Sequence, residues 1–130
     1  WKGCYNNIIE NAFKKIKKIQ AETKKIFAVT GPCLDKKNFE VDLQFRKNFK
    51  SLELSYDKFF FKKKISNKYL FDMLGLINFQ LRNNGIHNIE NLRIDTYKNK
   101  DLFFSHRRAT HNNAHPTGRM INIIGFNKYI

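Results

Sequence analysis

The chain holds 130 residues, of which 42% are apolar and 28% charged, with 13 phenylalanines and a formal charge of +14 at pH 7. That length is one domain's worth and enough for a single modest core, and the composition excludes a disordered tail. No run of about 18 apolar residues occurs, and no basic stretch followed by an apolar one opens the chain, so neither a membrane-crossing helix nor a secretory signal is expected.

In chain order, residues 5 to 19 place Ile8, Ile9, Ala12, Phe13, Ile16 and Ile19 on one helical stripe, with Lys14, Lys15, Lys17 and Lys18 on or beside the other face. A helix covering a sheet is favoured over one lying on a membrane surface. Ile26 to Val29 reads as a short buried strand ended by Gly31-Pro32. Residues 39 to 50 are weakly helical, with Phe39, Leu43 and Phe49 facing inward. Lys58 to Lys64, KFFFKKK, reads as a buried strand edge with charged gatekeepers, and less well as rings for stacking RNA bases. Residues 68 to 84 form the clearest helix, through Leu70, Leu74, Ile77 and Leu81, stopped by Asn83-Asn84-Gly85. Leu92 to Tyr97 and Leu102 to Ser105 are expected as short strands, and Met120 to Phe126 as a closing strand. The class is α/β or α+β, a mixed sheet covered by helices.

The charge has two readings. It suits a nucleic-acid or anionic-surface partner, because Lys and Arg displace counterions from phosphate. Yet 19 of the 25 cationic residues are lysines, jointly abundant with Asn and Ile, and arginine is the residue of bidentate phosphate and base contacts. Solvation is favoured for most of the lysines. Cys4 and Cys33 are too few for a disulfide framework and fit a reducing cytoplasm. The chain opens at Trp1 without a methionine, so the amino-terminal part of a longer protein is expected to be missing.

The chemistry concentrates in residues 102 to 120, LFFSHRRATHNNAHPTGRM. His106, His111 and His115 cluster there, but steps of five and four residues are no recognisable zinc pattern, and solvated histidines are favoured. Arg107, Arg108 and Arg119 flank the same loop, and Thr117-Gly118 allows close backbone approach. They suit a bound phosphate or other anion as well as ion pairs that fix the loop. Cys33 follows a strand and a turn, where a nucleophile could sit, yet no activating partner is identifiable and a buried small residue is favoured. Glu40 is open between a base and a helix-start carboxylate.

Three segments together resemble one family. WKGCYNNIIENA is similar to the segment starting at the Trp of its HAGWRG signature, AVTGPCLDKKNFEV to its GPxIG and (F/Y)EV segment, and DTYKNKDLFFSHRRATHNNAHPTGRM to its carboxy-terminal CT, FFSYRR and GR signature. The family is the YfiH-like laccase-domain group, also called multicopper polyphenol oxidoreductases and regarded as purine nucleoside phosphorylases. The resemblance spans nearly the whole chain and makes it the carboxy-terminal portion of a larger sandwich-like domain. It implies a cytoplasmic, metal-dependent enzyme that phosphorolyses adenosine, inosine and methylthioadenosine and deaminates adenosine, with copper-dependent oxidation of polyphenols also attributed to the group. It implies zinc, or copper, held by two histidines and a cysteine that lie before Trp1, so that none of His87, His106, His111, His115, Cys4 or Cys33 replaces them. It therefore implies an inactive fragment when alone, completed by an upstream segment carrying the metal ligands, with Arg107, Arg108 and Arg119 binding purine nucleoside and phosphate. Asp35 stands where the family has Gly, Asp95 where it has Cys, and His106 where it has Tyr. A small basic nucleic-acid-binding module is the rival reading, and a copper polyphenol oxidase a further one.

Overall fold

The computed structural model describes residues 1–19 and 25–125. Its elements are α1 (Lys2–Tyr5), α2 (Ile8–Lys18), β1 (Phe27–Thr30), β2 (Glu40–Val41), α3 (Leu43–Leu52), β3 (Phe60–Lys62), β4 (Tyr69–Phe71), α4 (Met73–Asn83), β5 (Asn88–Asn91) and α5 (His106–His111). β2, β4 and β3 form an antiparallel sheet in that order, while β1 pairs with β5 in parallel, Ala28 opposite Ile89. The class is thus mixed α/β, with helices and both kinds of sheet. Among the described residues no helix is long and apolar enough to cross a membrane.

Most of the phenylalanines build one core. Phe71 is wholly buried, its ring stacked on Phe60 at 4.7 Å and met by Phe49 at 5.1 Å and Phe39 at 5.2 Å. Phe45, Phe59, Tyr56, Tyr69 and Leu76 complete this cluster between α3, the antiparallel sheet and α4. Rings that meet offset or edge-on gain beyond their buried area, which favours this half as the stable one. A smaller cluster sets Phe13 of α2 against Leu81, Ile86, Ile26, Ala28 and Ile89, under the inner face of β1–β5.

The helix ends follow local chemistry. Asp42 caps α3 by accepting from Phe45 N at 2.7 Å, and Asp72 caps α4 by accepting from Gly75 N at 2.9 Å. Gly85 takes φ 81° past the end of α4, and Ile86 N–H donates to Leu81 O at 3.1 Å, closing the expected stop as a Schellman turn.

Several expected elements differ. The helix expected over 68–84 starts only at Met73, because Tyr69–Phe71 is the central strand of the antiparallel sheet and Asp72 turns the chain into the helix. The stripe over 5–19 breaks at Asn7, in left-handed conformation at φ 52°, and only Phe13 of its apolar residues is buried. β1 is not a buried strand, since Phe27 and Val29 face outward. Leu43 is exposed at the first turn of α3, while Phe39 and Phe49 face inward as expected. KFFFKKK is the anticipated strand edge, with Phe60 buried and Phe61 outside. Leu92 to Tyr97 holds no strand beyond a single bridge, Cys33 to Asp95, and Leu102 to Ser105 none. Met120 to Gly125 has no regular structure, and Phe126 lies outside the described residues.

Candidate functional site

The arginine-rich stretch is not an open loop. Ser105 is buried, accepts from Arg108 N at 3.3 Å and starts α5, a short helix whose Ala109 packs inward. Both terminal nitrogens of Arg108 are committed to backbone: Nη1 donates to Thr96 O at 2.6 Å and Tyr97 O at 2.8 Å, and Nη2 to Phe103 O. Charge-assisted donation to three carbonyls pins α5 to the segment that leads into it. Arg107 lies on the next face of the helix. Its Nη1 donates to Glu40 O at 2.8 Å, and its guanidinium sits 5.5 Å from the Phe39 ring. Arg119 Nη1 donates to the carbonyls of Thr117 and Gly118, at 3.3 and 3.4 Å.

These side chains border two clefts that share Trp1. The first is lined by Trp1, Phe39, Phe45, Glu40, Asp42, Lys68, Arg107 and His111. Trp1 meets Phe45 edge-on there at 5.0 Å. The second is lined by Trp1, Lys2, Phe104, His106, Gly118, Arg119 and others, and no carboxylate borders it. At Gly118 a Cβ would stand 2.6 Å from the Phe104 ring, so any other residue there would push that half-exposed ring aside.

Glu40 resolves as structure rather than base. Its carboxylate pairs with Lys63 and with Lys68 at 2.8 Å, and hydrogen bonds from both lysines pull its pKa down to about 2. A carboxylate held so acidic accepts no proton near neutrality. Cys33 is no activated nucleophile either, for burial first and then Asp35, Asp95, Asp72 and Cys4 push its thiol up. The departures from the family pattern have plain geometry. Asp35, at φ −66°, caps the turn Lys36–Asn38 by accepting from Lys37 N at 2.8 Å. Asp95 accepts from Asn38 Nδ2 at 2.6 Å and from Tyr97 N at 2.9 Å, tying that turn to the approach to α5.

The histidines are dispersed among local partners. His111 Nδ1 meets Tyr97 OH at 2.8 Å, His115 Nε2 meets Thr110 Oγ1 at 3.1 Å, and the His106 and His115 rings lie 5.0 Å apart. Among the described residues no group of three or more His, Cys, Asp or Glu is placed to hold a metal. These donors do not fit a zinc or copper centre, which wants three or four ligands converging on one point.

The structure thus brings Arg107 and Arg119 to clefts on either side of Trp1 and sets Arg108 behind them. Sequence reasoning missed Lys68 and Phe104. Lys68 reaches Glu40 only through the β2–β4 pairing, and Phe104 reaches Gly118 only through the fold, so neither leaves a local signal.

Comparison with known proteins agrees. The sequence profile of the family described as multi-copper polyphenol oxidoreductase laccase matches residues 1–127. The chain is 34% identical over 111 residues to a purine nucleoside phosphorylase of Rickettsia prowazekii, covering 85% of this chain and 45% of that protein. It is 29% identical to that of Haemophilus influenzae, covering 97% of this chain and 49% of the other. It therefore spans about half the length of the curated relatives it matches. The solved structure of Bacillus licheniformis YfiH superposes with a TM-score of 0.75 at 29% identity, over 85% of this chain and 42% of that one. Neisseria meningitidis NMB0706 shares the fold at a TM-score of 0.71, with 24% identity and 83% and 43% coverage. With its fold, its signature segments and its profile in accord, the chain belongs to the laccase-like, YfiH-type family of multi-copper polyphenol oxidoreductases.

Proposed function

We propose that this chain forms one wall of a purine nucleoside phosphorylase site, inactive until the remainder of the family domain is present. The observation that carries the reading is the pair of clefts on either side of Trp1, one aromatic with Arg107 and one cationic with Arg119. The second cleft, with Lys2, Arg119 and His106 and no lining carboxylate, takes the phosphate. The first, where the exposed Trp1 ring stands beside Phe45 and Arg107, stacks the purine. In phosphorolysis a phosphate oxygen attacks C1′ of the ribose as the bond to the base nitrogen breaks, and the base departs with the electron pair. Cations beside the phosphate offset its charge and stabilise that transition state. Arg108 has a positioning role, since it holds α5 and so Arg107.

Adenosine, inosine and methylthioadenosine are the substrates this reading implies, with adenosine deamination as a second reaction. A metal would come with polypeptide outside this chain, whose described residues do not fit one, and no step above passes through it. The test joins the chain to the portion of the Rickettsia relative that it does not match and follows hypoxanthine release from inosine. Release that requires phosphate, and falls when Arg119 is replaced by alanine, supports the reading. No release, or release indifferent to phosphate, overturns it.

A nucleic-acid-binding module stays as the second reading because lysines lie over phenylalanine rings, Lys36 at 4.3 Å from Phe61 and Lys58 at 3.8 Å from Phe79. It requires the chain alone to hold RNA with an affinity that falls steeply with salt.

A further inference from the structure

Among the described residues the parallel pair β1–β5 is covered on one face only. Ile26, Ala28 and Ile89 pack inward on Phe13, Leu81 and Ile86. Outward, Phe27 is 63% and Val29 43% exposed. Parallel sheets are ordinarily covered on both faces, and a lone two-stranded sheet is marginal in water. Neither strand has another strand beside it among the described residues. Next to Val29, the segment Ile121–Ile124 and Leu92 border an open cleft of about 430 Å³ together with Gly31 and Pro32. Ile121, Ile123 and Ile124 are 88%, 91% and 73% exposed. Isolated exposed apolar residues are ordinary, but Phe27 and Val29 on one side of β1, with Ile121, Ile123 and Ile124 beside Val29, are grouped, and a grouped apolar patch marks a surface meant to be covered.

The relatives indicate what covers it. This chain accounts for 45% and 49% of two curated relatives and 42% of the YfiH structure, so rather more than half of each of those proteins lies outside the match. We infer that the outer face of β1 with the Ile121–Ile124 segment is a docking seam for that remaining portion of the family domain, which adds an apolar surface over Phe27 and Val29 and strand partners beside β1. The inference rests on family membership and the exposed face, not on the proposed activity. A second copy of this chain is a poorer occupant, because it would cover the face and still leave the domain half built.

The experiment mixes the full chain with the unmatched portion of the Rickettsia relative, made as a separate polypeptide, and follows mass by sedimentation velocity. A one-to-one complex is expected, with slowed amide exchange across Phe27–Thr30. Val29→Lys and Ile123→Lys alter exposed positions, so their folding is checked by circular dichroism. Each is expected to weaken the complex by about tenfold or more, because a charge must then enter an apolar contact. Lys64→Glu, in the β3–β4 turn, is expected to leave it unchanged. Absence of a complex, a complex indifferent to both lysine substitutions, or a homodimer of this chain abolished by them would each overturn the seam. A complex that forms through this face yet releases no hypoxanthine from inosine overturns only the phosphorylase reading.

Discussion

Two halves of this molecule bury their apolar residues very differently. Around α3, α4 and the β2–β4–β3 sheet, aromatic side chains gather into one core, and Phe71, Phe49 and Leu76 are sealed from water. Around β1, β5 and the segment beyond Gly118, side chains of the same kind stand in solvent, Phe27 and Ile123 among them. Hydrophobic content is therefore no guide to where this chain is self-sufficient. The first half satisfies itself, whereas the second offers a surface. Of the two clefts at Trp1, one is walled by Phe39, Phe45 and Lys68 of the first half and the other by Phe104, Gly118 and Arg119 near the second, so the site straddles the two.

The comparison can be broken most forcefully at Phe71. Replacing it with alanine leaves a cavity among Phe39, Phe45, Phe49 and Phe60 and is expected to cost about 3–5 kcal/mol, read as a lowered urea midpoint. If the loss is below about 1 kcal/mol, the aromatic half is not the stable one. Arg108→Ala comes next. It removes donors to three carbonyls and is expected to cost about 2–3 kcal/mol, with α5 amides exchanging faster, while Arg107→Ala, which removes one donor to the Glu40 carbonyl, costs about 1 kcal/mol. That contrast separates the positioning arginine from the one facing a cleft.

Glu40 supplies a smaller effect, carried by pH. Its carboxylate is more acidic folded than its ordinary value of 4.5, so the stability it lends is complete above that value and lost as pH falls toward about 2. A partly exposed pair is worth at most about 1 kcal/mol, and Glu40→Gln should flatten the acid limb of a stability–pH curve by no more than that. The smallest effect belongs to the open face. Ile123→Ser should shift the thermal midpoint of the isolated chain hardly at all, within about 0.5 kcal/mol, because its side chain is already wet, and Val29→Ser, at a half-exposed position, by no more than about 1 kcal/mol. A large loss at either position would mean that the face is covered after all.

Local chemistry made part of this legible in advance. The Asn83-Asn84-Gly85 stop, the inward Phe39 and Phe49 and the lysine-guarded edge at Phe60 all depend on residues within a turn or two of one another. The same local reading failed at Leu70, whose four-residue step to Leu74 mimics a helix. The carboxylate of Asp72, a ready cap, was the cue that the helix begins later. It failed again at residues 106–111, since a six-residue helix is too short to show a period and depends on Ser105 and Arg108 to hold it.

What the sequence by itself determined is the family, through signature segments, and the kinds of side chain available to the site: guanidinium, imidazole and aromatic ring. Only the tertiary structure assigned them. Whether an arginine meets a carbonyl or a cleft depends on strands and turns up to 67 residues away, as with Arg107 and Glu40. Whether an isoleucine is core or seam depends on how many layers are laid over it, and the described residues lay one over β1.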